Sequence, residues 1–475
     1  MYEPNWTSLL PPLLAIVLAI ATKQVVISLS IGIWVGYCLL QSVNPLAGLA
    51  LAIDGVIHVF SDAGDTRVLV FTLVIGGLIA SIERFGGVRG FIRLLESRSW
   101  VNNPQKAKWL AYGTGLVIFI ESNITLLVAG SIARPLFDRY QIAREKLAYI
   151  IDSTSAPVCV LIPLNAWGAV ILSLLASSNI ENPIDVFLSS ILLNFYPLAV
   201  LGISALVIWR GIHIGPMKAA QSRTEQGAVL WPDAVPMVDS AVSEPDEQSG
   251  SQARSQPRAS TMIVPIAVMV LSMPLFLYVT GEGDISAGSG STSVLWAVLS
   301  ALAVVWIEVL YTRRARLEEL MASFLQGAGA FLPVSMILLF ALALGDVANL
   351  LQTGSYVAQI AGETVPQIVM LPLLFLISSF IAFSIGSSWG TFAIMIPLSM
   401  EIALSLSLSP SLFLAAVLSG SVFGDHASPI SDTTVVSSMA AATDHIDHVR
   451  TQLPYALVSA GVATVCFFLA GAVLL

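Results

Sequence analysis

The chain has 475 residues, 56% of them hydrophobic and only 11% charged, with a formal net charge of -9. A soluble domain carries about 25% charged residues, so most of this chain needs lipid as its solvent; the acidic balance excludes a nucleic-acid partner, which needs a basic face. Cys38, Cys159 and Cys466 all lie in apolar stretches and read as small buried hydrophobes, not as a disulfide or metal framework.

From the N-terminus, Met1 to Thr22 has neither a basic n-region nor a small-residue cleavage site, so the first apolar run is expected to be its own insertion signal. Runs able to cross roughly 30 Å of hydrocarbon at about 1.5 Å per residue recur. They are Val68 to Ile82, Phe187 to Trp209, Thr261 to Val279, Ser293 to Tyr311 and Leu453 to Leu475. None alternates as a barrel strand does, so the expected class is an all-α polytopic membrane protein.

Arg84 to Lys108, Arg134 to Lys146 and Thr312 to Arg316 are rich in basic residues at helix ends, which places them in the cytoplasm. Thr280 to Thr292 has acids and no base, which places it outside. Lys108 to Arg134 therefore starts and ends on one side, yet is long enough for a single crossing. A re-entrant hairpin resolves the conflict, with its break at Glu121-Ser122-Asn123. Such backbone survives at membrane depth only inside protein or beside a watery cavity. Ile151 to Pro157, holding Asp152 and Ser155, then interrupts the next helix, and Asn165-Ala166-Trp167-Gly168 follows. Asp152 reads either as a substrate-site carboxylate or as a helix-end group answering Arg144 or Lys146.

Gly211 to Ser260 is polar and rich in Ser, Pro and Gln. It is expected to be a flexible cytoplasmic connector between one membrane half, 1–210, and a second, 261–475. The second half repeats the devices of the first. Ser384 to Thr391 breaks an apolar hairpin, and Phe423-Gly424-Asp425-His426-Ala427-Ser428-Pro429 breaks the helix after it. A hairpin and a broken helix in corresponding places of two halves is the pattern of a repeat transporter.

Around that last break Asp425 and Asp432 supply carboxylates, and Ser428, Ser431, Thr433 and Thr434 supply hydroxyls. Pro429 removes a backbone donor. These are hard oxygen ligands of the kind alkali cations take, and a proton competes for the same carboxylates. The plainer alternative is that both aspartates cap helices at a water interface. Ser387, Ser388 and Thr391 read as further ligands or as a packing kink. His426, beside Asp425, suits proton sensing. Asp346 and Glu83 read as interface or ion-paired groups. Asp444-His445-Ile446-Asp447-His448 has histidine spacing compatible with zinc, but with Arg450 and Gln452 following it reads as a solvated segment, and no transition-metal site is expected. Gly386 to Gly390 fits GxSxG, which would pair Ser388 with His426 in an intramembrane serine hydrolase. The motif interrupts a helix instead of joining strand to helix, so an enzyme is not expected.

Three stretches carry a resemblance: VFGDHASPISDTTVVSSMAAATDHIDHVRTQLPYAL, GSSWGTFAIMIPL upstream of it, and REKLAYIIDSTSAPVCVLIPLNAWGA in the first half. They resemble the NhaC-type sodium/proton antiporter family of the wider ion-transporter superfamily. The resemblance implies a secondary transporter of the inner membrane with two inverted repeats, each with a re-entrant hairpin and a discontinuous helix. It also implies a midplane site, a homodimer and an elevator-like motion. Sodium ions and protons are the expected cargo, with no cofactor; a sodium-coupled amino-acid or small organic-acid carrier on the same fold is the alternative. In the favoured reading Asp425 and Asp432 alternate between protonated and sodium-bound forms, assisted by His426. Ser387, Ser388, Thr391, Ser428 and Thr433 are neutral ligands, Asn123 and Ser155 come from the first repeat, and Glu121, Ser122, Asp152 and Asn165 line the hairpin side. Where the family carries a DDYFN-like hairpin break, this chain has Glu121-Ser122-Asn123-Ile124-Thr125. One carboxylate has become a hydroxyl, which leaves room for an organic solute.

Overall fold

The computed structural model describes the chain apart from residues 1–4, 23, 42–43, 97–101, 120–121, 164, 179, 237–256, 284–287, 354–355, 357–358, 360–364 and 475. Among the described residues the regular structure is helical, with one isolated bridge between Pro236 and Asp444. The first half comprises α1 (Leu10–Thr22), α2 (Val25–Leu40), α3 (Pro45–His58), α4 (Ala63–Arg84), α5 (Gly87–Glu96), α6 (Pro104–Val117), α7 (Ser122–Arg139), α8 (Arg144–Asp152), α9 (Ala156–Leu161), α10 (Ala166–Ala176), α11 (Pro183–Ile191) and α12 (Phe195–Arg210). After α13 (Pro216–Glu225) come α14 (Ser260–Thr280), α15 (Gly290–Tyr311), α16 (Leu317–Leu350), α17 (Gln367–Ile385), α18 (Ser388–Ser405), α19 (Pro410–Ala427), α20 (Asp432–Ala441) and α21 (His445–Leu474). Eight helical stretches among the described residues are long and apolar enough to cross a membrane, and the apolar runs read from the sequence fall within them up to Leu474.

Both hairpins form. α6 packs on α7 and α17 on α18. The second turn is tight: Gly386 ends α17 with a φ of +74°, a conformation that favours glycine, and Ser387 caps α18 by accepting from the Gly390 amide at 3.4 Å. Both broken helices form as well, at Ser153–Ser155 between α8 and α9 and at Ser428–Ser431 between α19 and α20. The halves close each other's breaks. α20 lies on α7, where Gly130 touches Ala440; α10 lies on α18, where the Trp167 and Trp389 rings meet at 4.9 Å. This reciprocal exchange is what two inverted repeats produce. The remaining long helices form a second body, in which Gly76 and Gly327 let α4 and α16 approach so closely that a Cβ at Gly327 would stand 2.1 Å from the Gly76 carbonyl oxygen.

The connector is not a uniform coil. Its first part folds as α13, which buries Met217, Ala220, Arg223 and Thr224. Arg223 makes a two-pronged pair with the fully buried Glu145 of α8, at 2.7 and 3.0 Å. The Val235 amide then donates to Asp444 at 3.0 Å. A polar segment that cannot form its own core is ordered here because α8 offers it a buried carboxylate. Residues 237–256 lie outside the described residues.

Candidate functional site

The break between α19 and α20 meets the turn of the second hairpin. A Cβ at Gly386 would stand 2.7 Å from the Ile430 oxygen, and the Ser428 hydroxyl donates to the Phe383 carbonyl at 2.8 Å. At this junction the Asp425 carboxylate is buried and accepts from Ser388 at 2.5 Å on one oxygen and from Ser431 on the other. Ser431 lies 3.0 Å from the Thr433 hydroxyl. Asp432 opens α20 with an exposed face, accepts from the Thr433 amide at 3.0 Å, and is hydrogen-bonded by the Asn123 side chain from α7. The Asn123 Oδ1 and Thr434 Oγ1 atoms are buried without a hydrogen-bond partner. Among the described residues no lysine or arginine pairs with Asp425 or Asp432. The group is therefore two carboxylates ringed by hydroxyl and amide oxygens, the donor chemistry of a small cation and of a proton.

A second buried cluster centres on Asp152, at the end of α8. Its Oδ2 accepts from Gln452 at 2.7 Å and lies 3.3 Å from His448 Nε2 and 3.9 Å from His426 Nε2. His426 Nδ1 is 2.6 Å from the Tyr196 hydroxyl, and its Nε2 is 3.5 Å from Ser153. Gln452 also donates to the His426 carbonyl at 2.7 Å, and Ser437 lies 2.9 Å from His448 Nε2. The segment read from sequence as solvated is thus buried at His448, which is 0% exposed, because the start of α21 turns inward onto α8. His426 faces Asp152, while the Ser388 hydroxyl is on Asp425, so the pairing a hydrolase would need does not assemble.

Other candidates serve the backbone. Asn165 caps α10 through the Gly168 amide at 3.0 Å and ties down the first hairpin by donating to the Phe119 carbonyl at 2.9 Å. Thr391 donates to Ser387 O, and Ser155 to Asp152 O, each at 3.0 Å. Ser387 is the cap already described, and Ser122 is buried in the first turn of α7. Glu121 lies outside the described residues. Asp346 lines a cavity of about 950 Å³ together with Asp62, Asp65, Glu181, His58 and Arg67. His448, Gln452 and Tyr196 were absent from the sequence-derived site, whereas Ser431 was among the hydroxyls read around the second break. One signal was there to find: Asn165-Ala166-Trp167-Gly168 and Ser387-Ser388-Trp389-Gly390 are the same capping device in the two halves.

The model of the Na+/H+ antiporter family matches residues 168–472. The chain belongs to this family. A secondary antiporter with a multi-pass helical fold follows from that membership, whereas the first hairpin and first broken helix lie ahead of the matched stretch. An uncharacterized protein of Haemophilus influenzae is 31% identical across 98% of this chain and 90% of its own length. An arginine/ornithine antiporter of Halobacterium salinarum is 25% identical over 45% of this antiporter and 42% of itself. A malate-2H(+)/Na(+)-lactate antiporter of Bacillus subtilis is 36% identical over 23% and 25%. The solved YdaH transporter of Alcanivorax borkumensis, described as having an unusual topology, superposes with a TM-score of 0.55 at 14% identity over 89% of this chain and 88% of that one, a likeness of fold.

Proposed function

We propose that this antiporter exchanges Na+ for H+, with Asp425 and Asp432 as the carboxylates that hold the cation and Ser388, Ser431, Thr433 and Asn123 as its neutral oxygen ligands. The observation that carries the reading is Asp425: a buried carboxylate between two breaks, held by two hydroxyls and paired with no base among the described residues. In low dielectric such a group is costly unless a cation or a proton joins it. Access is supported by the acid-lined cavity at the far end of α10. The cavity reaches the C-terminal part of α10 at Leu172, Ser173 and Ala176. The proposed setting is the inner membrane, with the basic ends and the connector on the cytoplasmic side and two copies forming a homodimer. In support of one basic face, Arg314 of the loop before α16 donates to Phe85 O at 3.2 Å, beside Arg84.

The test is sodium-driven proton movement in proteoliposomes: added Na+ restores the fluorescence of a quenched pH dye. Folded protein that restores none refutes the reading. A second reading, Na+-coupled exchange of an amino acid or small organic acid, is favoured by the Glu121-Ser122-Asn123 hairpin break and by the two named relatives. A labelled panel of such solutes under a sodium gradient decides it, and uptake of none removes it.

A further inference from the structure

We propose that Asp152 and His448 form a separate seat for the exchanged proton, distinct from the carboxylates that hold the cation; the inference rests on the Na+/H+ reading above. Asp152 is 1% exposed and His448 0%, and they come from opposite halves of the chain. A lone carboxylate buried this deeply needs a compensating positive charge. The imidazole 3.3 Å from Oδ2 supplies it whenever it holds a second proton, which makes the pair neutral. When that proton leaves, hydrogen bonds from Gln452 and from the neutral ring remain to hold the carboxylate.

Three atoms of this group have no hydrogen-bond partner although buried: Asp152 Oδ1, His448 Nδ1 and Gln452 Oε1. A purely structural network fills such positions; three open ones on mutually bonded residues are donors and acceptors free to take up or pass on a proton. The other titratable groups that face the pair are His426 from α19, Tyr196 from α12, and Asp425 and Asp432 at the cation site. Lys146, six residues before Asp152 on the same helix, points elsewhere: its Nζ donates to the Ile212 carbonyl at 2.9 Å and lies over the Tyr149 and Tyr455 rings. The charges nearer the connector, Glu145 and Arg223, bond to each other.

The two seats are linked twice. Gln452 bridges Asp152 to the backbone carbonyl of His426, the residue after Asp425. The Asp152 carboxylate also acts electrostatically on both Asp425 and Asp432. A proton added at His448 and a cation at Asp425 therefore disfavour each other, which is the coupling that antiport needs.

The experiment uses the full-length protein in proteoliposomes with radiolabelled sodium. It compares wild type with His448→Gln, which keeps a donor for Asp152 but cannot titrate, and with Asp152→Asn. In the wild type the half-saturating Na+ concentration for sodium counterflow falls by about tenfold per pH unit where one proton competes with the cation. In both variants that dependence flattens to roughly twofold or less over the same range, and accumulation driven by a pH gradient drops by about tenfold or more. A wild-type pH profile in His448→Gln overturns the proposal. So does loss of all sodium counterflow in folded His448→Gln and Asp152→Asn alike, because the residues would then belong to the cation site. Wild-type protein that shows neither counterflow nor pH-driven uptake sinks the Na+/H+ reading itself, a result separate from either.

Discussion

Adjacent serines in Ser387-Ser388-Trp389-Gly390 separate ligand from cap. Ser388→Ala removes the hydroxyl that donates to Asp425 at 2.5 Å with both groups buried, and with it one neutral oxygen of the proposed cation shell. A hydrogen bond to a charged group contributes about 1.5–3 kcal/mol. At about 1.4 kcal/mol per tenfold, the apparent Na+ affinity falls by roughly ten- to a hundredfold. Ser387→Ala removes a helix cap whose bond to the Gly390 amide is long, 3.4 Å. That loss costs about 0.5–1 kcal/mol of stability and leaves the carboxylate's partners in place. Both variants are assayed by the Na+ concentration that half-restores the pH-dye signal and by thermal unfolding in detergent. The expected pattern is an affinity loss in Ser388→Ala and a small drop in melting temperature in Ser387→Ala. If Ser388→Ala stays within roughly twofold of wild type, the hydroxyl is not part of the cation shell and the site as drawn is wrong.

Gly424→Ala places a Cβ 2.3 Å from the Ser379 carbonyl oxygen and 2.6 Å from the Phe383 nitrogen, neither of which can move aside. It is expected to abolish folded protein on size exclusion, while Gly461→Ala, which meets nothing within 4 Å, folds normally. Glu145→Leu strands the Arg223 guanidinium in a buried site, a loss of about 3–5 kcal/mol. Adding Arg223→Met should recover most of the melting temperature, and failure to recover would mean the pair is not what holds α13. His213, on the loop after α12, has its pKa lowered from 6.5 to about 4 by burial first and by Lys146 and Lys108 next. The unfolded chain therefore binds the extra proton first. Stability from this group is present above 6.5 and is lost as pH falls toward 4. His213→Gln should flatten that part of a pH–melting curve, and an unchanged curve would assign the acid sensitivity to other groups.

The breaks were legible because they violate local rules: glycine, serine and proline gathered inside apolar runs have few uses at membrane depth. Asp425, Asp432, Ser431 and Thr433 lie within one such violation and Ser388 within another, so for all but Ser388 proximity in sequence stands in for proximity in space. His448 and Gln452 were not legible, since they meet Asp152 across about 300 residues of chain and their own neighbours, Asp447 and Arg450, are those of a solvated turn. The same holds for Arg223, whose partner Glu145 lies 78 residues earlier in the chain: polar sequence predicts disorder only until a buried carboxylate is supplied. Asn165 and Thr391 show the opposite error. Their side chains look like ligands by type, but a broken helix exposes backbone groups that claim them first.

Charge explains why exchange, and not one-way passage, suits this geometry. The Asp425 group has hydroxyl donors but no lysine or arginine among the described residues, whereas the Asp152 group has two imidazoles within 4 Å. An empty carrier would have to move with Asp425 ionised and unpaired in a low-dielectric interior, a state that costs several kcal/mol. Neutralising it takes a cation at Asp425 or a proton brought into the linked groups. Either one brings the three carboxylates nearer to neutral, while a cation and a proton held close together repel each other. In the proposed exchange each therefore weakens the hold on the other. Alternation of the two is what the proposed Na+/H+ exchange asks of these residues, and the placement of the carboxylates, hydroxyls and imidazoles supports it.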